Sequence, residues 1–86
     1  MYDYNIEKHK MFTEEGQRRF LKIRDKVYKL LKDAGAFKMS SATKGFTGSS
    51  WEMMSYVDRL VELGEIKEIT SLNVFGQDRV FVSTIR

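Results

Sequence analysis

Positive charge is concentrated in the first half of this 86-residue chain. Residues 1–48 contain eleven Lys and Arg against six Asp and Glu, whereas residues 49–86 contain four against six. A local excess of cations attracts polyanions, because the summed field extends beyond individual contacts. The distribution therefore indicates a face that favours phosphate, and a solvated helix surface is the alternative explanation.

Residue types that support catalysis or metal binding are scarce. The chain has one histidine, His9, and no cysteine, so it lacks the thiolate and paired imidazole ligands of transition-metal sites. No serine has a plausible base partner, and no glycine pattern for nucleotide binding is present. The sequence predicts a protein that is not an enzyme and that uses no cofactor or metal.

Length and composition indicate one soluble domain. The chain is too short for two domains, and its 42% apolar and 31% charged residues are typical of globular proteins. No apolar run approaches the roughly 20 residues of a membrane span, and the first residues lack the pattern of a signal peptide. We therefore expect a cytoplasmic protein without a membrane partner.

A long amphipathic helix is predicted from Glu14 to about Ala34. Thr13 suits its N-cap, and Gly35 suits its C-terminal end. Its apolar residues recur every three or four positions and share one face; they are Phe20, Ile23, Val27, Leu30, Leu31 and Ala34. The preceding residues 1–12 have no clear period and are predicted to form a docked N-terminal arm, which leaves residues 13–86 as the domain.

Two further helices are predicted after a short apolar stretch. The first is short, from about Ser41 to Lys44 or Gly45. The second begins at a capping box, in which Ser49 and Glu52 would bond each other's backbone N–H groups, and continues to Leu63. Its core face is formed by apolar residues that share one side of the helix, namely Met53, Tyr56, Val57, Leu60 and Leu63.

The hydrophobic period changes after Gly64. Ile66–Ile69 and Arg79–Ser83 are predicted as strands of a hairpin with a long loop over residues 70–78. The fold class predicted is therefore α+β, mostly α, with three helices followed by a C-terminal β-hairpin.

The junction between the last helix and the first strand resembles that of bacterial winged-helix regulators. The similarity lies in residues 57–69, where Leu60 is followed by Gly64 and then Ile66. Including the helix order, the resemblance covers roughly residues 14–85. It implies a winged helix-turn-helix protein of the small bacterial or phage type that binds duplex DNA, acting in transcription regulation or DNA processing.

The resemblance also implies which residues bind. The helix over residues 49–63 would enter the major groove, and its exposed side would read base edges. A helical wheel places Ser55, Asp58 and Arg59 on that side. The cations of the first helix are expected to lie too far around to join them. The predicted nucleic-acid-binding residues are Lys38, Ser40, Lys44, Thr47, Ser49, Ser50, Trp51, Ser55, Arg59, Lys67 and Arg79.

A different function is left open by the same residues. Three carboxylates, Glu52, Asp58 and Glu62, share the predicted reading face and would repel DNA. The alternative is a protein-interaction module, for example one that docks on a polymerase or replication protein through Trp51 and the apolar wing. The sequence also leaves open a homodimer. The DNA interpretation requires that the outer side of the helix be free.

Overall fold

The computed structural model describes residues 1–46 and 48–84. Its elements, in chain order, are helix α1 (Tyr4–Glu7), a 3₁₀ turn (Lys8–Phe12), helix α2 (Glu14–Ala34), strand β1 (Ala36–Lys38), helix α3 (Met39–Thr43), helix α4 (Ser50–Glu62), strand β2 (Ile66–Glu68), a second 3₁₀ turn (Gly76–Asp78) and strand β3 (Val80–Ser83). The predicted α+β, mostly helical class is confirmed.

Helix α2 has the predicted bounds for the predicted reasons. The Thr13 hydroxyl accepts a hydrogen bond from the Gly16 N–H at 3.0 Å, which satisfies one of the free donors of the first turn. At the other end, Gly35 has a φ of 77° and bonds the Leu31 carbonyl, a left-handed cap that suits glycine. Ile23 and other residues of its apolar face are buried.

The capping box predicted for α4 is wrong, although the helix starts where expected. Ser49 occupies the N-cap position, but its side chain makes no capping hydrogen bond. The Glu52 carboxylate bonds Arg19 and Tyr56 instead. A hydrogen bond to a charged donor is stronger than one to a backbone amide, so the long-range partner wins over the local one.

The two predicted hairpin strands are present as β2 and β3, and β1 extends them to a three-stranded antiparallel sheet. The strand order is β1-β3-β2, with Phe37 opposite Phe81 and Ile66 opposite Ser83. Strand β1 was not predicted, because three residues are too few to show a period. Its pairing is stabilised by the stacked rings of Phe37 and Phe81, whose centroids lie 5.3 Å apart.

The N-terminal residues contribute to the same core as the helices and the sheet. Met11 is buried together with Tyr56, Leu60 and Phe81. The backbone of the first 3₁₀ turn lies so close to α2 that a Cβ on Gly16 would be 2.1 Å from the Lys10 carbonyl oxygen. The turn and the start of α2 are therefore fixed against each other.

Candidate nucleic-acid interface

The first carboxylate of the α4 polar face, Glu52, is neutralised within the chain. It accepts hydrogen bonds from Arg19 at 2.8 Å and from the Tyr56 hydroxyl at 2.5 Å. Burial alone would raise the pKa of Glu52, but these two bonds outweigh it and the pKa is lowered. Glu52 is therefore a paired anion between α2 and α4 and not a free group that faces a partner.

The second carboxylate, Asp58, belongs to a network that ties α4 to the sheet. Both terminal nitrogens of Arg79 donate to Asp58, at 2.7 and 3.1 Å, and Arg79 also donates to Glu68 at 2.9 and 3.0 Å. The side chains of Arg79 and Asp58 are only 16% and 12% exposed. Arg79, predicted to clamp a DNA backbone, is therefore committed to its own chain.

The third carboxylate, Glu62, is paired in the same way. Arg59 donates to it at 2.6 Å and the Tyr4 hydroxyl at 2.8 Å. These bonds from Tyr4 and Arg59 lower the pKa of Glu62. The Arg59 guanidinium also lies 5.8 Å from the Phe12 ring centroid. The one cation of the predicted reading face is thus held between an acidic and an aromatic side chain.

The N-terminal residues lie on the outer side of α4. The Tyr2 hydroxyl donates to Asp58 at 2.5 Å and the Tyr4 hydroxyl to Glu62. Both tyrosines pack against the core. Burial, followed by the bond to Asp58, raises the pKa of the Tyr2 hydroxyl. The expectation of a free outer face is therefore wrong over the middle and end of α4, because the chain's own N-terminal residues occupy it.

Ser55 is placed differently from the prediction. It is completely buried, and its hydroxyl donates to the Glu52 carbonyl at 2.5 Å. A helical wheel assumes one covered side, whereas α4 is covered by the core on one side and by the N-terminal residues on another. Ser55 is therefore inaccessible to a partner in this conformation.

The leading end of α4 is exposed, as predicted. Ser49, Ser50 and Trp51 are all accessible, and Trp51 is 42% exposed. The Ser49 side chain makes no capping bond, and these residues lie at the positive end of the α4 dipole. Lys44 is exposed in the same turn between α3 and α4.

The structure brings cations of α2 to this turn, contrary to expectation. Lys26 donates from Nζ to the Lys44 carbonyl, and its Nζ lies 5.4 Å from the Phe46 ring centroid. Burial, and then the charge of Lys44, lowers the pKa of Lys26. Phe46 in turn lines a cleft of about 360 Å³. We call this the basic cleft, which is lined by Glu15, Arg18, Arg19, Lys22, Phe46 and Met53.

Arginines and lysines are used differently in the described part of the chain. Every described arginine forms an ion pair with an Asp or Glu of the chain, whereas Lys10 alone does so among the described lysines. The paired arginines and carboxylates cancel one another. Among the described residues, the side-chain positive charge without an acidic partner therefore comes from lysines. Of these, Lys22 lines the basic cleft and Lys26 lies beside Phe46 at its edge, where the charge of Lys44 acts on it.

The remaining predicted residues are dispersed. Lys38 and Lys67 are exposed on the two outer strands, on opposite sides of β3, and Ser40 is exposed on α3. Thr47 lies outside the described residues. Sequence reasoning named the cations of α2 but excluded them. Their spacing of four residues, from Arg18 through Lys22 to Lys26, was the signal that could have placed them on one line.

A second surface feature is apolar. Met1, Tyr2, Met54 and Phe75, together with Glu68, Gly76 and Arg79, line a groove of about 630 Å³ between the N-terminus, α4 and the β2–β3 loop. In that loop, Phe75 is 78% and Leu72 is 92% exposed. We call this the apolar groove. It coincides with part of the surface that the protein-interaction alternative requires.

No other class of site emerges from the described residues. They contain no group of three acidic or histidine side chains that could hold a metal ion, and none of their helices is long and apolar enough to cross a membrane. No protein-family model matches the chain, and no curated protein or solved structure is significantly similar to it.

Proposed function

We propose that this chain is a winged-helix domain that binds duplex DNA without catalysing a reaction. The element order α2-β1-α3-α4-β2-β3 and the strand order β1-β3-β2 support this assignment. In it, α3 and α4 form the helix-turn-helix pair, and the loop between β2 and β3 is the wing. Because the N-terminal residues occupy the outer side of α4 at Asp58 and Glu62, this proposal replaces the predicted reading of bases by that side. The domain contacts backbone phosphates instead, through the basic cleft, the turn between α3 and α4, and the leading end of α4.

The observation that carries this proposal is the position of Lys26 beside Lys44 at the basic cleft. The Lys26 ammonium group donates to the Lys44 backbone carbonyl, the charge of Lys44 acts on it, and neither lysine forms an ion pair with an acidic residue among those described. An incoming phosphate would relieve the repulsion between Lys26 and Lys44 and would lie near the positive end of the α4 dipole. Such contacts fix a protein on the backbone and dominate affinity.

The internal pairing of the acidic residues removes the main objection to DNA binding. Glu52, Asp58 and Glu62 would repel a polyanion as free carboxylates. Each is instead bonded to an arginine and a tyrosine. The surface near α4 is therefore close to neutral, and the lysines around the cleft determine its attraction for phosphate.

A salt titration tests the proposal. Fluorescence anisotropy of a labelled 20-base-pair duplex gives the affinity over a series of salt concentrations. Each phosphate contact contributes about 0.9 to the slope of log affinity against log salt. The double variant Lys26→Gln, Lys44→Gln should make this negative slope shallower by about 1.8 and should retain the wild-type circular dichroism spectrum.

Lys32→Gln is the matched control, because Lys32 is exposed in the last turn of the same helix and pairs with no acidic residue among those described. It should leave the slope within experimental error of the wild type. Equal slopes for the double variant and Lys32→Gln would refute the assignment of the interface to the basic cleft. Absence of binding at low salt would refute DNA binding.

The apolar groove favours a second candidate, docking on another protein. Phe75 and Leu72 are far more exposed than aromatic and aliphatic residues of a core, and Met54 forms part of the groove. An apolar interface depends little on salt. If this is the function, Phe75→Ser weakens association with the partner protein, whereas Lys26→Gln leaves it unchanged.

A further inference from the structure

We infer that the protein binds duplex DNA without reading base sequence, because its own N-terminal residues occupy the middle and end of α4 and the exposed leading end offers no side chain that makes a bidentate contact to a base. This inference rests on the proposed function and specifies the kind of DNA bound. We call residues 1–6 the N-terminal cover. The surface that it occupies spans Asp58 to Glu62.

The N-terminal cover is held by side chains at two points. Tyr2 bonds Asp58 at 2.5 Å, and Tyr4 bonds Glu62 at 2.8 Å. Within the cover, the Asp3 carboxylate accepts a hydrogen bond from the Asn5 N–H at 2.9 Å and so caps α1. These contacts hold both ends of the covered surface.

The attachment of the cover to the domain limits its movement. It continues into Glu7, which is buried and bonded to Lys10, and then into Met11, which is 1% exposed. The backbone at Lys10 and Met11 is in close contact with Gly16 at the start of α2. The N-terminal cover therefore begins at a fixed point beside α4, and docking it costs little chain entropy.

The side chains at the exposed leading end of α4, Ser50 and Trp51, cannot make the bidentate contacts that discriminate strongly between bases. A bidentate arginine on guanine is the commonest specific contact, and asparagine or glutamine on adenine is another. Helix α4 contains neither Asn nor Gln, and its one arginine, Arg59, is bonded to Glu62. On the neighbouring strand side, Arg79 is bonded to Asp58 and Glu68.

The lysines without an acidic partner among the described residues are suited to phosphate and not to bases. Lys22, Lys26 and Lys44 carry compact charges on flexible stems, which bind phosphate without demanding a planar acceptor. Contacts of this kind position a protein on DNA but carry no sequence information. The domain therefore has the phosphate contacts that give affinity and lacks the base contacts that discriminate between DNA sequences.

The test measures discrimination and the state of the N-terminal cover in the same wild-type protein. Affinities for five unrelated 20-base-pair duplexes of equal length, at one salt concentration, should agree within about threefold, whereas one good bidentate contact discriminates by roughly tenfold or more. Hydrogen–deuterium exchange of residues 2–12 should be no faster in the DNA complex than in the free protein.

The outcomes separate the two proposals. A more than tenfold preference for one duplex, or faster exchange of residues 2–12 on binding, overturns the present inference and leaves DNA binding intact. No binding to any duplex at low salt overturns the proposed function, and the inference with it. Equal affinities with an unchanged or slower exchange support both.

Discussion

The network around Arg79 gives the most direct test of how the domain is held together. Arg79 donates four hydrogen bonds, two to Asp58 of α4 and two to Glu68 of β2. Its guanidinium also lies 5.2 Å from the Phe81 ring centroid. Replacement by methionine keeps most of the apolar stem and removes every one of these interactions.

The magnitude follows from the exposure of the partners. Removing one member of a buried ion pair costs about 3–5 kcal/mol, because the other charge is left buried. Asp58 is nearly buried at 12%, but Glu68 is 35% exposed and can be solvated. We therefore expect Arg79→Met to lower the free energy of unfolding by about 2–3 kcal/mol. In a domain of this size that corresponds to a decrease of roughly 10–20 °C in Tm.

The assay is urea or thermal unfolding followed by circular dichroism, with Arg18→Met as the matched control. Arg18 pairs with Glu14 one turn away, and the two side chains are 67% and 83% exposed. Exposed pairs of this spacing contribute about 0.3–0.5 kcal/mol. If Arg79→Met destabilises the protein no more than Arg18→Met does, the buried network does not stabilise the fold.

The pH dependence gives an independent check on the same variant. The hydrogen bonds from Arg79 lower the pKa of Glu68 below 4.5. A lowered folded-state pKa contributes stability above the unfolded-state pKa, and this contribution is lost as the pH falls through the folded-state value. The difference in stability between wild type and Arg79→Met should therefore narrow below about pH 4.5.

Three further predictions concern local geometry. Gly16→Ala should destabilise the domain by about 2–4 kcal/mol in urea unfolding, because the new Cβ would lie 2.1 Å from a backbone oxygen of the first 3₁₀ turn; a change below 1 kcal/mol would contradict that contact. Thr13→Ala should lower the free energy of unfolding by about 1 kcal/mol, whereas Ser49→Ala should lower it by only a few tenths, because the Thr13 side chain caps its helix and the Ser49 side chain does not. Equal losses for the two variants would contradict this difference in capping. Burial, and then the bond to Glu62, raises the pKa of Tyr4 to about 12. The stability that this neutral hydroxyl contributes is therefore complete below pH 10 and decreases as the pH rises towards 12. In an absorbance titration Glu62→Gln should move the pKa of Tyr4 towards 10, and an unchanged pKa would refute the bond.

The helices and the coarse fold class could be predicted from the sequence because their signals are local. The apolar period of α2 and its caps at Thr13 and Gly35 all lie within the segment itself. Strand β1 could not be predicted, since its three residues become a strand only by pairing with β3. The capping box at Ser49 was misleading because a local motif competed with the distant Arg19 for the same carboxylate.

The candidate site was predicted only in part, for the same physical reason. Exposure of Ser49, Ser50 and Lys44 followed from their position in a turn. The burial of Ser55 did not, because the residues that cover α4 come from the opposite end of the chain. Tyr2 and Asp58 are separated by 56 positions, and no helical periodicity connects them.

Net charge understates the local excess of positive charge on one region of the surface. The chain carries a formal charge of +3, but most of its described arginines are close to a carboxylate that cancels them. What remains is a set of lysines without acidic partners among the described residues, of which Lys22 lines the basic cleft and Lys26 lies at its edge beside Phe46. The charged side chains of α4 and Arg79 are paired, whereas the lysines of α2 have no acidic partner among the described residues. We therefore expect the proposed attraction of a polyanion to be directed towards α2 and the adjoining turn. The excess of positive charge in residues 1–48 therefore coincides with most of the lysines that lack acidic partners among the described residues. Their position supports the proposal that phosphate binds beside α4, in preference to base recognition along that helix.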